Sequence, residues 1–115
     1  MNCIHMSRIA KDDLAEIKQY ITEKLENPIA AHSVVKRITH TIRELEQQSL
    51  IGTPLSSLQR ISSDYRYLVC GNYMIFYRTY ESDVYIDRIL YGRRDYMKVL
   101  FGEPLDSPTG FLLDN

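Results

Sequence analysis

Arginine and tyrosine side chains near the end of the chain are the groups in this sequence with the clearest capacity for chemistry. Arg93 and Arg94 are adjacent, Tyr96 follows them closely, and Arg88 precedes them on a segment of strand character. Guanidinium groups bind phosphate or carboxylate oxygens through paired hydrogen bonds, and a nearby phenol can transfer a proton. The set is therefore compatible with phosphate chemistry and with contact to another macromolecule. A solvated strand end is the third interpretation.

The sequence lacks the residues that most other kinds of active site need. The sequence has no glycine-rich phosphate loop, no Cys-x-x-Cys pair and no Gly-x-Ser-x-Gly elbow, so a nucleotide-binding protein or a serine hydrolase has no basis here. His32 and His40 fall on one predicted helix without an acidic partner at metal-ligand spacing, and we expect no metal and no cofactor. Cys3 and Cys70 are expected to be buried, reduced thiols, because a core of this size needs no disulfide.

Composition indicates an ordinary globular domain. The 115 residues are 44% hydrophobic and 25% charged, which is typical of a folded protein. Fourteen Lys and Arg against fifteen Asp and Glu leave a net charge of −1, and this excludes a surface that is basic throughout, as expected of a general nucleic-acid binder. No apolar run approaches the roughly 20 residues of a membrane span, and residues 1–13 lack the apolar stretch of a signal peptide. We therefore expect a cytoplasmic location and no membrane partner.

Two helices are predicted in the first half of the chain. Ser7 is a suitable N-cap for the first helix, and Asn27 followed by Pro28 ends it and begins the second. Apolar residues recur at three- and four-residue steps in both segments, which places them on one face of each helix. The first face is Leu14, Ile17, Ile21 and Leu25, and the second is Val34 or Val35, Ile38, Ile42 and Leu45. The short break between them predicts an antiparallel helical hairpin.

Strands are predicted in the second half, after a loop at residues 47–63. Residues 65–70, 73–80 and 84–91 are rich in aromatic and β-branched side chains, and short turns separate them. This pattern predicts a three-stranded antiparallel meander, with residues 2–6 as an additional edge strand. In the middle strand the side chains alternate between two faces, neither of which is purely polar. One face comprises Tyr73, Ile75, Tyr77 and Thr79, and the other comprises Met74, Phe76, Arg78 and Tyr80.

The fold class follows from burial. An apolar sheet face must be covered, and the helical hairpin is the available cover. We predict an α+β fold in which a two-helix antiparallel hairpin packs on a twisted antiparallel sheet, in the order β-α-α-β-β-β. Residues 1–101 form the single domain, and residues 102–115 form a loosely held tail.

The second half also carries a resemblance to a known family. A helix pair, an NYMIFYR strand, an acidic turn and a VYIDRILYGRRD strand resemble the RelE/ParE toxins of type II toxin-antitoxin systems over about residues 4–95. The order, spacing and length of these segments agree together. The resemblance implies an intracellular toxin that arrests growth and is silenced by a cognate antitoxin, which wraps it in a toxin-antitoxin hetero-oligomer.

The resemblance implies one of two activities. RelE-like members are endoribonucleases that cut messenger RNA on the ribosome, whereas ParE-like members inhibit DNA gyrase through protein contact. Arg94 matches an arginine after the last strand of both groups. Met74, however, stands where the RNA-cutting members carry a catalytic arginine, and the position of their late catalytic tyrosine falls near Leu100. Residues 52–96 also contain no lysine.

We therefore predict the ParE-like activity, with DNA gyrase as target, and keep the ribosome and messenger RNA as the alternative. The predicted target-contact residues are Arg88, Arg93, Arg94 and Tyr96. In the alternative, Arg93 and Arg94 clamp phosphate, and Arg94 and Tyr96 are the catalytic candidates.

Overall fold

The computed structural model describes residues 1–57, 63–92 and 96–102. These parts contain three α-helices and five strands, with a π-helical turn at Tyr20–Lys24 and 3-10 turns at Glu44–Glu46 and Leu55–Ser57. The strands are β1 (Cys3–Met6), β2 (Thr53–Pro54), β3 (Arg66–Cys70), β4 (Tyr73–Tyr80) and β5 (Asp83–Tyr91). The helices are α1 (Arg8–Gln19), α2 (Pro28–Arg43) and α3 (Tyr96–Phe101). The predicted α+β fold, with a helix pair packed on a sheet, is confirmed.

The sheet has the strand order β1-β5-β4-β3-β2. Its centre is the predicted antiparallel meander of β3, β4 and β5. One detail of the prediction needs correction, because β1 runs parallel to β5 and the sheet is therefore mixed. The amides of Cys3 and Ser7 donate to the carbonyls of Ser82 and Ile86, which sets this parallel register. Alternation in a short strand carries no information on direction, so the sequence could not reveal it.

Local capping explains where the helices begin. The Ser7 hydroxyl accepts a hydrogen bond from the Ala10 amide, and the Asn27 side chain accepts one from the Ala30 amide. Pro28 occupies the first position of α2, where its missing N–H leaves no intrahelical bond unmade. These contacts confirm both predicted helix starts.

The larger core lies between the helices and the sheet. Ile38, Ile42 and Leu45 of the predicted stripe are buried there against Ile75, Tyr77 and Ile86 of the sheet. Ile21 is also buried, but Leu25, which was predicted on the same helix face, is 57% exposed. The π-helical turn widens the helix before Leu25, and this shifts the helical phase and rotates the residue outward.

A second, smaller core covers the opposite face of the sheet. Leu55, Met74, Phe76 and Tyr96 are buried together, so the two-sided alternation predicted for β4 is confirmed. The prediction for the cysteines was wrong in part: both are free thiols, but Cys3 is exposed and Cys70 is only partly buried. Cys3 lies on the edge strand β1, where it alternates with Ile4 and Met6, which pack on the larger core, and so points to the opposite face. In the described residues, no helix has the length and apolar character to cross a membrane.

Candidate interaction site at the end of the sheet

Arg88 is held inside the fold by Asp13. Phe76 pairs with Arg88 and Tyr77 pairs with Ile86, so Asp87 is the extra residue of a bulge in β5. The Arg88 guanidinium donates from Nε and Nη2 to the two oxygens of Asp13, each at 2.8 Å. These hydrogen bonds and the Asp13 charge raise the pKa of Arg88, whereas partial burial acts to lower it. Two of the five N–H donors of this predicted contact residue are thus used within the protein.

Tyr96 begins α3 and lies in the smaller core. Its ring stacks on Phe76 with the ring centres 5.4 Å apart, and the residue is only 7% exposed. The structure therefore places this predicted contact and proton-transfer residue among apolar side chains. Arg88 and Tyr96 are both neighbours of Phe76, Arg88 as its strand partner and Tyr96 through ring stacking.

Arg93 and Arg94 lie outside the described residues, and the structure positions only the chain that leads to them. Gly92, the last residue before them, has a φ of 61°, in the left-handed region that favours glycine. Its amide donates to the carbonyl of Asn72 in the β3–β4 turn. The point from which the arginine pair leaves β5 is thus joined to this turn.

Around that point the structure brings together a tyrosine–arginine cluster: Tyr20, Arg37, Tyr73 and Tyr91. The rings of Tyr73 and Tyr91 meet edge to face, with their centres 5.5 Å apart. Burial raises the pKa of Tyr73, the nearby Tyr91 and Tyr20 raise it further, and Arg37 lowers it. Tyr20 and Tyr91 are each more than half exposed. Four separate elements therefore contribute to one aromatic and cationic surface.

An open pocket of about 340 Å³ adjoins the cluster. It lies at the β3–β4 turn, between the ends of β3, β4 and β5. Its lining is mainly aromatic and aliphatic and consists of Tyr67, Val69, Gly71, Asn72, Tyr73, Met74, Tyr91 and Gly92. Arg37 reaches its rim, because a methyl group placed on Gly71 would lie 3.7 Å from Arg37 Nη2.

A second polar cluster lies on the face of the sheet that carries α3. Arg78 pairs with Asp87 at 2.8 Å, and its guanidinium carbon lies 5.1 Å from the centre of the Tyr65 ring. Burial raises the pKa of Tyr65, and its hydrogen bond and proximity to Asp87 raise it further. Each charged group here already has an oppositely charged partner. This cluster holds the strands together and offers no unpaired group for chemistry.

The described residues at this end of the sheet carry groups that are suited to contact with another molecule. The pKa is raised for three tyrosines, Tyr65, Tyr73 and Tyr77, and this keeps each phenol neutral near pH 7. No group of three or more His, Cys, Asp or Glu side chains converges in this part of the chain to hold a metal. Exposed Tyr and Arg side chains are enriched at the energetic centres of protein interfaces. The end of the sheet is therefore suited to binding another protein.

Sequence reasoning did not identify Asp13 or Arg37. No local pattern relates Asp13 to Arg88, seventy-five positions away. Arg37 is one of several cations on α2, and its position is decided by the packing of α2 near the β3–β4 turn. The abundance of tyrosines was a signal, but it did not indicate which of them are exposed.

Comparison with known proteins relates this arrangement to one family. No curated protein sequence matches the chain. A solved structure described as the chromosomal ParDE TA system from P. aeruginosa has the same fold, with a TM-score of 0.68 and 22% sequence identity over 81% of this chain and 98% of that chain. The sequence model of the ParE toxins of type II toxin-antitoxin systems (parDE) matches residues 4–96. Because this match spans the helix pair and the whole sheet, the chain belongs to the ParE toxin family.

Proposed function

We propose that this toxin acts in the cytoplasm by binding DNA gyrase, and that a cognate antitoxin neutralises it by covering its contact surface. The observation that carries the proposal is the tyrosine–arginine cluster beside the point where Arg93 and Arg94 leave β5. Exposed aromatic rings next to guanidinium groups bind protein surfaces well, because the rings bury area and the cations provide directed hydrogen bonds.

Two positions at which a ribonuclease would differ, Met74 and Tyr96, also favour gyrase binding over RNA cleavage. Met74, which stands where the RNA-cutting relatives carry a catalytic arginine, is 5% exposed and packs with Phe76 in the smaller core. An arginine there would have to be accommodated in an apolar layer at a high desolvation cost. Tyr96 lies in the same layer. Nothing in the described residues favours ribosome-dependent cleavage.

Arg93 and Arg94 remain the proposed centre of target contact. They directly follow Gly92, which is joined to the β3–β4 turn, so they begin beside Tyr91 and the pocket. Arg88 supports this surface indirectly, since its pair with Asp13 fastens β5 to α1. Tyr96 follows the arginine pair and anchors the chain on the sheet through Phe76.

The edge of the sheet offers one further surface for an antitoxin. In β1, the parallel pairing with β5 uses the backbone groups of Cys3 and His5, which leaves those of Ile4 and Met6 directed away from the sheet. Disordered partners commonly pair with such an edge strand.

The test is to induce the toxin in bacteria without an antitoxin, and to follow DNA-damage signalling and messenger RNA integrity in the same culture. Purified toxin is then added to a gyrase supercoiling assay. Induction of the damage response with intact transcripts, together with loss of supercoiling, is expected. Rapid transcript cleavage with unaffected gyrase would overturn the proposal in favour of the ribonuclease alternative.

A further inference from the structure

The exposed face of α2 carries a concentration of positive charge that no ion pair within the described residues neutralises. Residues 28–43 include Lys36, Arg37 and Arg43 and no acidic residue, although the whole chain has a net charge of −1. Lys36, Arg37, His40 and Arg43 are all exposed, and we refer to these four residues as the α2 basic strip.

The strip has no ion-pair partner in the described part of the chain. The ion pairs found there join His5 to Asp83, Arg78 to Asp87 and Arg88 to Asp13. Within the described residues, the Lys and Arg side chains of the strip are therefore exposed and without an ion-pair partner. Like charges held together on one helix repel one another weakly, so an acidic partner gains from relieving this repulsion.

Arg37, at one edge of the strip, reaches the β3–β4 turn, and the pocket opens beyond this turn on the face of the sheet that carries α3. Arg37 lies at the pocket rim beside Gly71, and within the pocket Val69 is 63% exposed. A ligand that reaches from the strip into the pocket thus meets positive charge first and then an aromatic and aliphatic lining. The complementary chemistry is a peptide in which carboxylates flank an apolar side chain.

We propose that the α2 basic strip and the adjoining pocket are the docking site for such an acidic, apolar-anchored segment of the antitoxin. The inference rests on the proposed function, because it presupposes an antitoxin. The apolar anchor fills the pocket against Val69 and its strand partner Met74, and the flanking carboxylates reach around the β3–β4 turn to pair with Arg37 and Lys36. A segment seated there lies against Tyr91 and Gly92, so it covers the start of the arginine pair and blocks the target.

The same cations suit duplex DNA less well. Proteins held on DNA by charge make on the order of six to ten phosphate contacts, which is more than this strip provides. A phosphate backbone also has no apolar group with which to fill the pocket. The overall charge of the chain adds no long-range attraction for DNA.

The antitoxin of a type II toxin-antitoxin system is expected to be encoded by a short reading frame next to the toxin gene. The test measures binding of the toxin to the purified product of that reading frame. Arg37→Glu and Val69→Glu are compared with Lys11→Glu, a matched control because Lys11 is an exposed cation on α1 and not on α2. At about 0.1 M salt, each of the first two variants is expected to bind at least about tenfold more weakly, and the control to stay within about twofold of the unaltered toxin. The deficit of Arg37→Glu is expected to shrink at about 0.5 M salt, because screening weakens exposed charge pairs.

The outcomes separate the two proposals. If the unaltered toxin does not bind this protein, the proposed antitoxin itself fails. If it binds and folded Arg37→Glu and Val69→Glu bind equally well, only the docking site fails. A duplex DNA of about 20 base pairs is the second probe, and retention of DNA by the toxin but not by Arg37→Glu would assign the strip to nucleic acid and overturn the inference. Acidic residues of the partner are then replaced by Lys. If such a partner variant binds the Arg37→Glu toxin as well as the unaltered pair bind each other, the docking site is supported.

Discussion

Replacement of Asp13 by alanine is expected to be among the most damaging single changes of a charged residue in this fold. Asp13 is 8% exposed and accepts three hydrogen bonds, two from Arg88 and one from the Ile89 amide at 2.9 Å. These bonds join α1 to the bulge of β5. Asp13→Ala removes all of them and leaves one cation and one buried amide without an acceptor.

The expected loss follows from those two groups. A buried ion pair that loses one partner destabilises a protein by roughly 3–5 kcal/mol, and an unsatisfied buried amide alone accounts for about 1–3 kcal/mol. The Arg88 side chain is 26% exposed, so water recovers part of its hydration. We therefore expect a loss of about 3 kcal/mol in the free energy of unfolding. For a domain of this size, that lowers Tm by roughly 12 °C.

The assay is urea denaturation at pH 7, with Asp12→Ala as the control. Asp12 is the exposed neighbour of Asp13, and its removal is expected to change stability by less than about 0.5 kcal/mol. Asp13→Ala is then repeated in an Arg88→Met background, where the loss is expected to fall to about 1 kcal/mol because only the Ile89 amide is left unpaired. A loss below about 1 kcal/mol for Asp13→Ala in the unaltered toxin would refute the reasoning.

Three other changes test different parts of the structure. Ile38→Ala, in the centre of the larger core, is expected to lower the free energy of unfolding by about 2–5 kcal/mol, and a loss below about 1 kcal/mol in urea would contradict its burial. Tyr77→Phe removes a hydroxyl that accepts from the Gly52 amide and donates to the Ser49 carbonyl, so a loss of about 1–3 kcal/mol is expected. Burial raises the pKa of Tyr77 above 10, so the neutral hydroxyl contributes its full stability below pH 10, and this stability is lost as the pH rises through the raised pKa. Between pH 8 and pH 11, the free energy of unfolding should therefore fall less for Tyr77→Phe than for the unaltered toxin. Arg94→Ala should leave the fold intact and require at least about tenfold more toxin for the same growth arrest. The control Arg8→Ala, at an exposed position of α1, should not change toxicity. Equal toxicity of folded Arg94→Ala would remove Arg94 from the target surface.

The elements of this fold were predictable because their signals are local. The N-caps at Ser7 and Asn27 and the proline at position 28 mark helix starts through contacts within a few residues. In β4, successive side chains point to alternate faces, and apolar residues occur on both. This pattern predicted the strand limits and the burial of both faces. Leu25 was misplaced because a π-helical turn changes the helical phase without a recognisable sequence signal.

The site was less predictable because its geometry is not local. Arg88 and Tyr96 were selected as surface residues from their types and their proximity to Arg93 and Arg94. The structure shows that Arg88 is paired with Asp13 and that Tyr96 packs on Phe76. Neither partner is near its residue in sequence, so only the packing of α1 and α3 on the sheet could reveal them.

The sequence by itself determined the fold class, the helix starts, the meander and the resemblance to the RelE/ParE toxins, because hydrophobic period, capping and turn residues act over short distances along the chain. The tertiary structure decided the direction of β1, the Asp13–Arg88 pair and the meeting of Arg37 with Tyr73 and Tyr91. Each of these depends on which surfaces approach when the layers pack. That approach is set by the summed burial of many side chains, and no single segment of the chain encodes it.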